Sequence, residues 1–212
     1  MNATEWIVDR NGDGYADDVA TRFVLNLAGG GASRDLCAGL INFAARLGLA
    51  THALTTPLVV AAGSATTGNR RDVPVASIDD LPALPALESS AGEPLGELGE
   101  PSGCLTDLFT TQGALADTDG DLLPDATRLA FDLPDELPAA LAAAVANLAA
   151  RVGLESGGVT LPLVRDDGAR FAVRPGEGPA RLGATGQGWL AGRGPADPAR
   201  LLSRPPARAA PP

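Results

Sequence analysis

The chain has 212 residues, enough for one large domain or two small ones, and its hydrophobic content of 45% can build a core. Its 16 basic residues are all arginine against 26 acidic ones, and a net charge of -10 argues against nucleic acid, whose phosphates need a basic face. No apolar run reaches the roughly 20 residues of a membrane span. The opening MNATEWIVDR lacks the basic-then-apolar order of a signal peptide, which leaves the cytoplasm or a piece cut from a longer exported protein.

The first predicted element is an acidic loop, VDRNGDGYADD (8–18), with oxygen-bearing side chains on alternating positions and glycines between them. A hard cation such as calcium takes six to eight oxygens, and alternation lets side chains of one loop converge on it. The candidate ligands are Asp9, Asn11, Asp13 and Asp17, with the carbonyl of Tyr15, and Gly14 supplies a sharp turn. Phe23 and Leu25 then alternate with Arg22 and Val24, the period of a strand. Leu36, Leu40, Phe43 and Leu47 recur at helical spacing, with Ser33 as N-cap and Gly48 as the left-handed stop. TTPLVVAA (55–62) reads as a buried strand. A Pro-, Gly- and Glu-rich stretch at 76–104 reads as an exposed linker.

The same series then recurs. NFAARLGLATHALTTPLV from Asn42 and NLAARVGLESGGVTLPLV from Asn147 agree at ten of 18 positions without a gap. A second acidic loop, ADTDGDLLPDA (116–126), offers Asp117, Asp119, Asp121 and Asp125 with the carbonyl of Leu123. Leu141, Val145, Leu148 and Val152 repeat the helix stripe, with Asp135 as the expected N-cap, Gly153 as the stop and VTLPLV (159–164) as the closing strand. Repeats of this kind reflect one structural unit used twice. The expected fold is therefore α/β, a tandem duplication of an acidic loop–strand–helix–strand unit. Its two copies would form an α/β sandwich with pseudo-twofold symmetry or two small βαβ lobes. The units span 1–75 and 105–165, followed by a C-terminal hairpin turning at Asp167-Gly168 and a short helix (166–203), then a disordered tail (204–212).

The pattern D-x-[DN]-x-D, ending in an acid at the ninth position, resembles the calcium loops of FG-GAP (integrin propeller) repeats, thrombospondin type 3 repeats and dockerins. EF-hand loops also carry an acid at the twelfth position, where this chain has Ala20 and Arg128. The resemblance spans about ten residues per copy and implies calcium ligation rather than a fold.

Other motifs argue against chemistry. His52 is the only histidine, there is no G-x-S-x-G, and the absence of lysine removes any Walker motif. The glycines of NLAGGGASRDL (26–36) precede a helix, where a phosphate could meet backbone N–H groups, but the second copy has DLPDEL there, which would repel it. Cys37 lies beside the helix stripe and reads as core, although pairing with Cys104 in an oxidising compartment stays open. The expected function is a non-catalytic, calcium-stabilised binding or structural module of a bacterial envelope or secreted protein, with a protein or glycan partner. The alternatives are an accessory region of a larger secreted hydrolase and a nucleotide- or phosphate-binding α/β domain using Gly29 to Ser33.

Overall fold

The computed structural model describes residues 6–13, 16–64, 70–81, 108–111, 113–164, 169–174, 180–185 and 188–193, and within them the chain is a mixed α/β protein. The first half runs β1 (Ile7–Val8), β2 (Asp18–Val19), β3 (Thr21–Leu25), β4 (Gly31–Ser33), α1 (Arg34–Leu49), β5 (Val59–Ala61), β6 (Arg71–Val75) and a single 3-10 turn, Ile78–Asp80. The second runs β7 (Leu115–Ala116), β8 (Ala126–Thr127), β9 (Leu129–Asp132), β10 (Glu136–Pro138), α2 (Ala139–Leu154), β11 (Ala169–Arg174), β12 (Ala180–Thr185) and β13 (Gly188–Arg193).

β3 is the centre of a parallel three-stranded sheet in the order β5-β3-β6, with Phe23 opposite both Val59 and Val73. The helix α1 lies between β3 and β5 in sequence, so this part is a βαβ unit. In the second half β9 is parallel to β11, with Phe131 opposite Phe171. On the other side of β9, Phe131 forms a single parallel bridge to Val164. The predicted strand over 159–164 is thus reduced to one bridge.

The two halves are joined in three ways. β4 pairs antiparallel with β10, Ala32 opposite Leu137. The Asn42 carboxamide accepts the Leu163 N–H at 2.8 Å, and that of Asn147 accepts the Leu58 and Val59 N–H groups at 2.6 and 3.0 Å. The helices pack directly on each other. One contiguous buried cluster includes Phe23, Leu40 and Phe43 with Phe131, Leu141 and Val145. Each fully buried Leu or Phe side chain contributes roughly 1.5–3 kcal/mol. Trp6 stacks on Phe23 at 5.2 Å between centroids, and Phe43 meets Phe23 edge-on at 4.9 Å. These three rings gather much of the chain's scarce aromatic surface.

Both helix stripes face this core, Leu148 alone being half-buried. The Ser33 hydroxyl caps α1 by accepting the Leu36 N–H at 3.3 Å. The helix ends correct three expectations. Asp135 does not cap α2, because Glu136–Pro138 are drawn into the ribbon with β4 and the helix begins after Pro138. Gly48 and Gly153 are helical rather than left-handed stops; the helices end at Leu49 and Leu154, with Ala50 at φ -83° and Glu155 at φ -86°. The glycines serve a different need, since a β-carbon on Gly48 would strike the Ala150 carbonyl oxygen and one on Gly153 that of Ala45. They mark a close approach of the two helices.

The expected hairpin turn at Asp167-Gly168 lies outside the described residues; β11 runs parallel to β9, and β12 pairs antiparallel with β13. Residues 82–107 and 194–212 lie outside the described residues, and with them most of the expected linker, the C-terminal helix and the tail. Cys37 is a buried free thiol whose Sγ lies 3.7 Å from the Ala32 carbonyl oxygen, and burial pushes its pKa up to about 12. Such a thiol is inert, which agrees with the core reading. Cys104 is outside the described residues.

Candidate metal centre

Each acidic loop is held between two short antiparallel strands. β1 and β2 pair Val8 with Asp18 around the first, and β7 and β8 pair Ala116 with Ala126 around the second. The ninth-position N–H closes each loop: Asp17 donates to the Val8 carbonyl at 2.7 Å and Asp125 to that of Ala116 at 2.9 Å.

Inside, the two loops share one hydrogen-bond frame. The first acid accepts the fourth-position N–H, Gly12 on Asp9 at 2.6 Å and Gly120 on Asp117 at 2.7 Å. The third-position side chain accepts the fifth N–H, Asp13 on Asn11 at 3.0 Å and Asp121 on Asp119 at 3.1 Å. The ninth acid accepts the second N–H, Arg10 on Asp17 at 2.7 Å and Thr118 on Asp125 at 2.9 Å. Gly12 and Gly120 both take positive φ, 76° and 79°, which glycine adopts without steric cost.

Each loop is also tied to the end of the helix in its own half. The Ala16 carbonyl accepts the His52 N–H at 2.9 Å, and the Pro124 carbonyl accepts the Gly157 N–H at 2.6 Å. The backbone N–H groups of His52 and Gly157 thus occupy equivalent places in the two halves. Thr51 and Ser156, one residue earlier, were not singled out from sequence, and both are buried. The Thr51 hydroxyl donates to the Leu47 and Gly48 carbonyls at 3.2 Å, closing the last turn of α1. Asp18 was also missed. It is buried and takes the Thr55 N–H at 3.0 Å, the Thr55 hydroxyl at 2.6 Å and an ion pair from Arg10 at 3.1 Å. Burial pushes its carboxyl up, but Thr55, the Val19 N–H and Arg10 together hold it below its ordinary value.

In the second loop Asp117, Asp119 and Asp121 bring one carboxylate oxygen each to within 4.8 Å of one another. Oxygens ligating one calcium at about 2.3–2.6 Å are at most about 5 Å apart, so this spacing fits a shared ion. The all-oxygen donor set suits a hard cation and not zinc. Partial burial pushes the Asp117 carboxyl up, but the Gly120 and Leu122 N–H groups, Asp119 and the Asp121 N–H draw it below the ordinary value. It is ready to ligate at neutral pH.

Asp125 does not join that trio; its carboxylate is taken up by the Thr118 N–H and hydroxyl. Thr118 is a loop-closing residue that the alternating pattern did not reveal. Leu123 is exposed, with its N–H on Asp121 at 2.8 Å. Leu122 has φ 75°, the left-handed conformation otherwise taken by glycines here. In the first loop Asn11 and Asp13 are joined by an Nδ2–Oδ2 bond of 2.9 Å, and Tyr15 and Gly14 lie outside the described residues.

In the glycine-rich stretch before α1, Gly31 is paired with Pro138 and lies against the Glu136 side chain, which puts an acid beside it. Comparison with protein-family models, curated proteins and solved structures finds no match to this chain.

Proposed function

We infer that this chain is a non-catalytic module built from two equivalent loop–strand–helix–strand units related by a pseudo-twofold axis, each stabilised by one calcium ion. The observation that carries the calcium reading is the shared loop frame, with the same three side-chain acceptors on the same three backbone donors in both copies. In the second loop the carboxylate oxygens of Asp117, Asp119 and Asp121 stand within 4.8 Å of one another, and a cation would relieve their repulsion. The proposed ligands are Asp9, Asn11, Asp13 and Asp17 with the Tyr15 carbonyl, and Asp117, Asp119 and Asp121 with that of Leu123; Asp125, expected as a fourth side-chain ligand there, is held by Thr118 instead.

The duplication is supported by reciprocity. Asn42 and Asn147 each reach the other half's strand region, and Gly48 and Gly153 each meet the other helix's backbone. The role is structural and adhesive, within an envelope or secreted protein, presenting its surface to a protein or glycan. The exposure of Leu122 and Leu123 at the second loop, 86% and 67%, favours a protein contact there.

The test is thermal unfolding in millimolar calcium against EDTA. A ligand at about 100 times its dissociation constant stabilises by about 2.7 kcal/mol, so calcium should raise the melting temperature by about 5–10 °C for a chain of this size. Superimposable melts would remove the metal from the account.

A further inference from the structure

We propose that Asn11-Gly12 is a self-deamidating site, in which the fold of the first loop supplies the base and the carbonyl-polarising donor. An Asn-Gly peptide ages when the glycine nitrogen attacks the asparagine side-chain carbonyl carbon, a reaction ordinarily limited by removing the amide proton. Here the Gly12 N–H donates to Asp9 Oδ1 at 2.6 Å, so the proton has an acceptor already in place. The Asn11 Oδ1 accepts the Asp13 N–H at 3.0 Å, a donor aimed at the oxygen where negative charge develops. Asp13 Oδ2 accepts from Asn11 Nδ2 at 2.9 Å and fixes the orientation of the carboxamide. Gly12 has no atom within 4 Å of where a β-carbon would stand, and Asn11 is exposed to water.

The steps balance. The Gly12 nitrogen bonds to Asn11 Cγ as its proton passes to Asp9. That proton then goes to the departing Nδ2, the Cγ–Nδ2 bond breaks, and ammonia leaves. A cyclic imide joins positions 11 and 12. Water opens it on one side to give aspartate at position 11, or on the other to give isoaspartate, in which the main chain runs through the side chain. No electrons are exchanged; one water is consumed and one ammonia released.

The second loop shows why this concerns one copy. Gly120 N–H meets Asp117 at 2.7 Å and Asp121 N–H meets Asp119 at 3.1 Å, the same frame, but Asp119 is a carboxylate and a poor electrophile when ionised. The aspartate product at position 11 is the residue type the second loop already carries there.

The full chain is incubated in EDTA, so that the outcome does not depend on calcium, and the loop peptide is followed by mass for its gain of one dalton. The same chain in concentrated guanidinium chloride is the reference. The folded chain should react about tenfold faster or more than the denatured one. Asp9→Asn keeps an acceptor for the Gly12 N–H but cannot take its proton, so its rate should fall to the denatured level. A folded rate no greater than the denatured one, or an Asp9→Asn rate equal to wild type, would overturn the proposal.

Discussion

Replacing Gly48 or Gly153 by alanine should lower the stability of the chain by about 2 kcal/mol or more. In an isolated helix the change would gain up to about 1 kcal/mol, because alanine is the better helix former. Here the new methyl group would meet a main-chain carbonyl of the facing helix, Ala150 for Gly48 and Ala45 for Gly153, and neither oxygen can swing aside as a side chain does. The helices would have to separate, opening gaps along a shared core. Gly39→Ala is the internal control: its nearest neighbours are the Cδ1 atoms of Ile78 and Leu81 at 3.1 Å, and Ile78 is 47% exposed and free to yield. Denaturant unfolding should show both crossing-point variants destabilised and the control close to neutral. Stabilisation by Gly48→Ala would mean the helices do not cross where described.

Asn147→Ala should be as damaging, costing about 3–5 kcal/mol, a large share of a typical domain's stability. The carboxamide accepts the Leu58 and Val59 N–H groups and donates to the Val59 and Ala143 carbonyls at 2.7 and 2.8 Å. Removing it strands backbone groups of Leu58 and Val59, both buried residues. Asn42→Ala withdraws the acceptor from the Leu163 N–H and should cost about 1–2 kcal/mol. The order of the two losses in urea unfolding is the decisive readout; an Asn147→Ala chain within about 1 kcal/mol of wild type would show that this bridge is not needed.

Much of this was legible in the residues, and what was not has physical causes. The helix stripes were readable because Leu36, Leu40, Phe43 and Leu47 recur at helical spacing, and all four are buried. Strand β3 was readable through Phe23 and Leu25. The ribbon of β4 with β10 was not, because Gly31-Ala32-Ser33 and Glu136-Leu137-Pro138 carry no alternation; they become strands only by meeting each other across the chain. Gly48 and Gly153 were misread for a related reason. A glycine near a helix end has two uses, a left-handed stop or a close approach, and sequence spacing does not separate them. In the loops, alternation identified Asp117, Asp119 and Asp121, which converge. It was silent on Thr118 and on the anchors after each helix, since those act through the backbone or by holding a carboxylate already counted.

Calorimetric titration of calcium into the wild-type chain, Asp13→Ala and Asp121→Ala tests the central claim most directly. Leu122 at φ 75° bears a strain of about 1–2 kcal/mol that glycine at the sixth position of the first loop would not. That corresponds to roughly tenfold weaker binding in the second loop. Asp119 in place of Asn11 adds attraction for the cation, but the residue is exposed and salt screens the gain. The account predicts two calcium sites in the wild-type chain, the tighter one surviving in Asp121→Ala and the weaker one in Asp13→Ala. Absence of binding at millimolar calcium, or a tighter site that survives Asp13→Ala and is lost in Asp121→Ala, would contradict it.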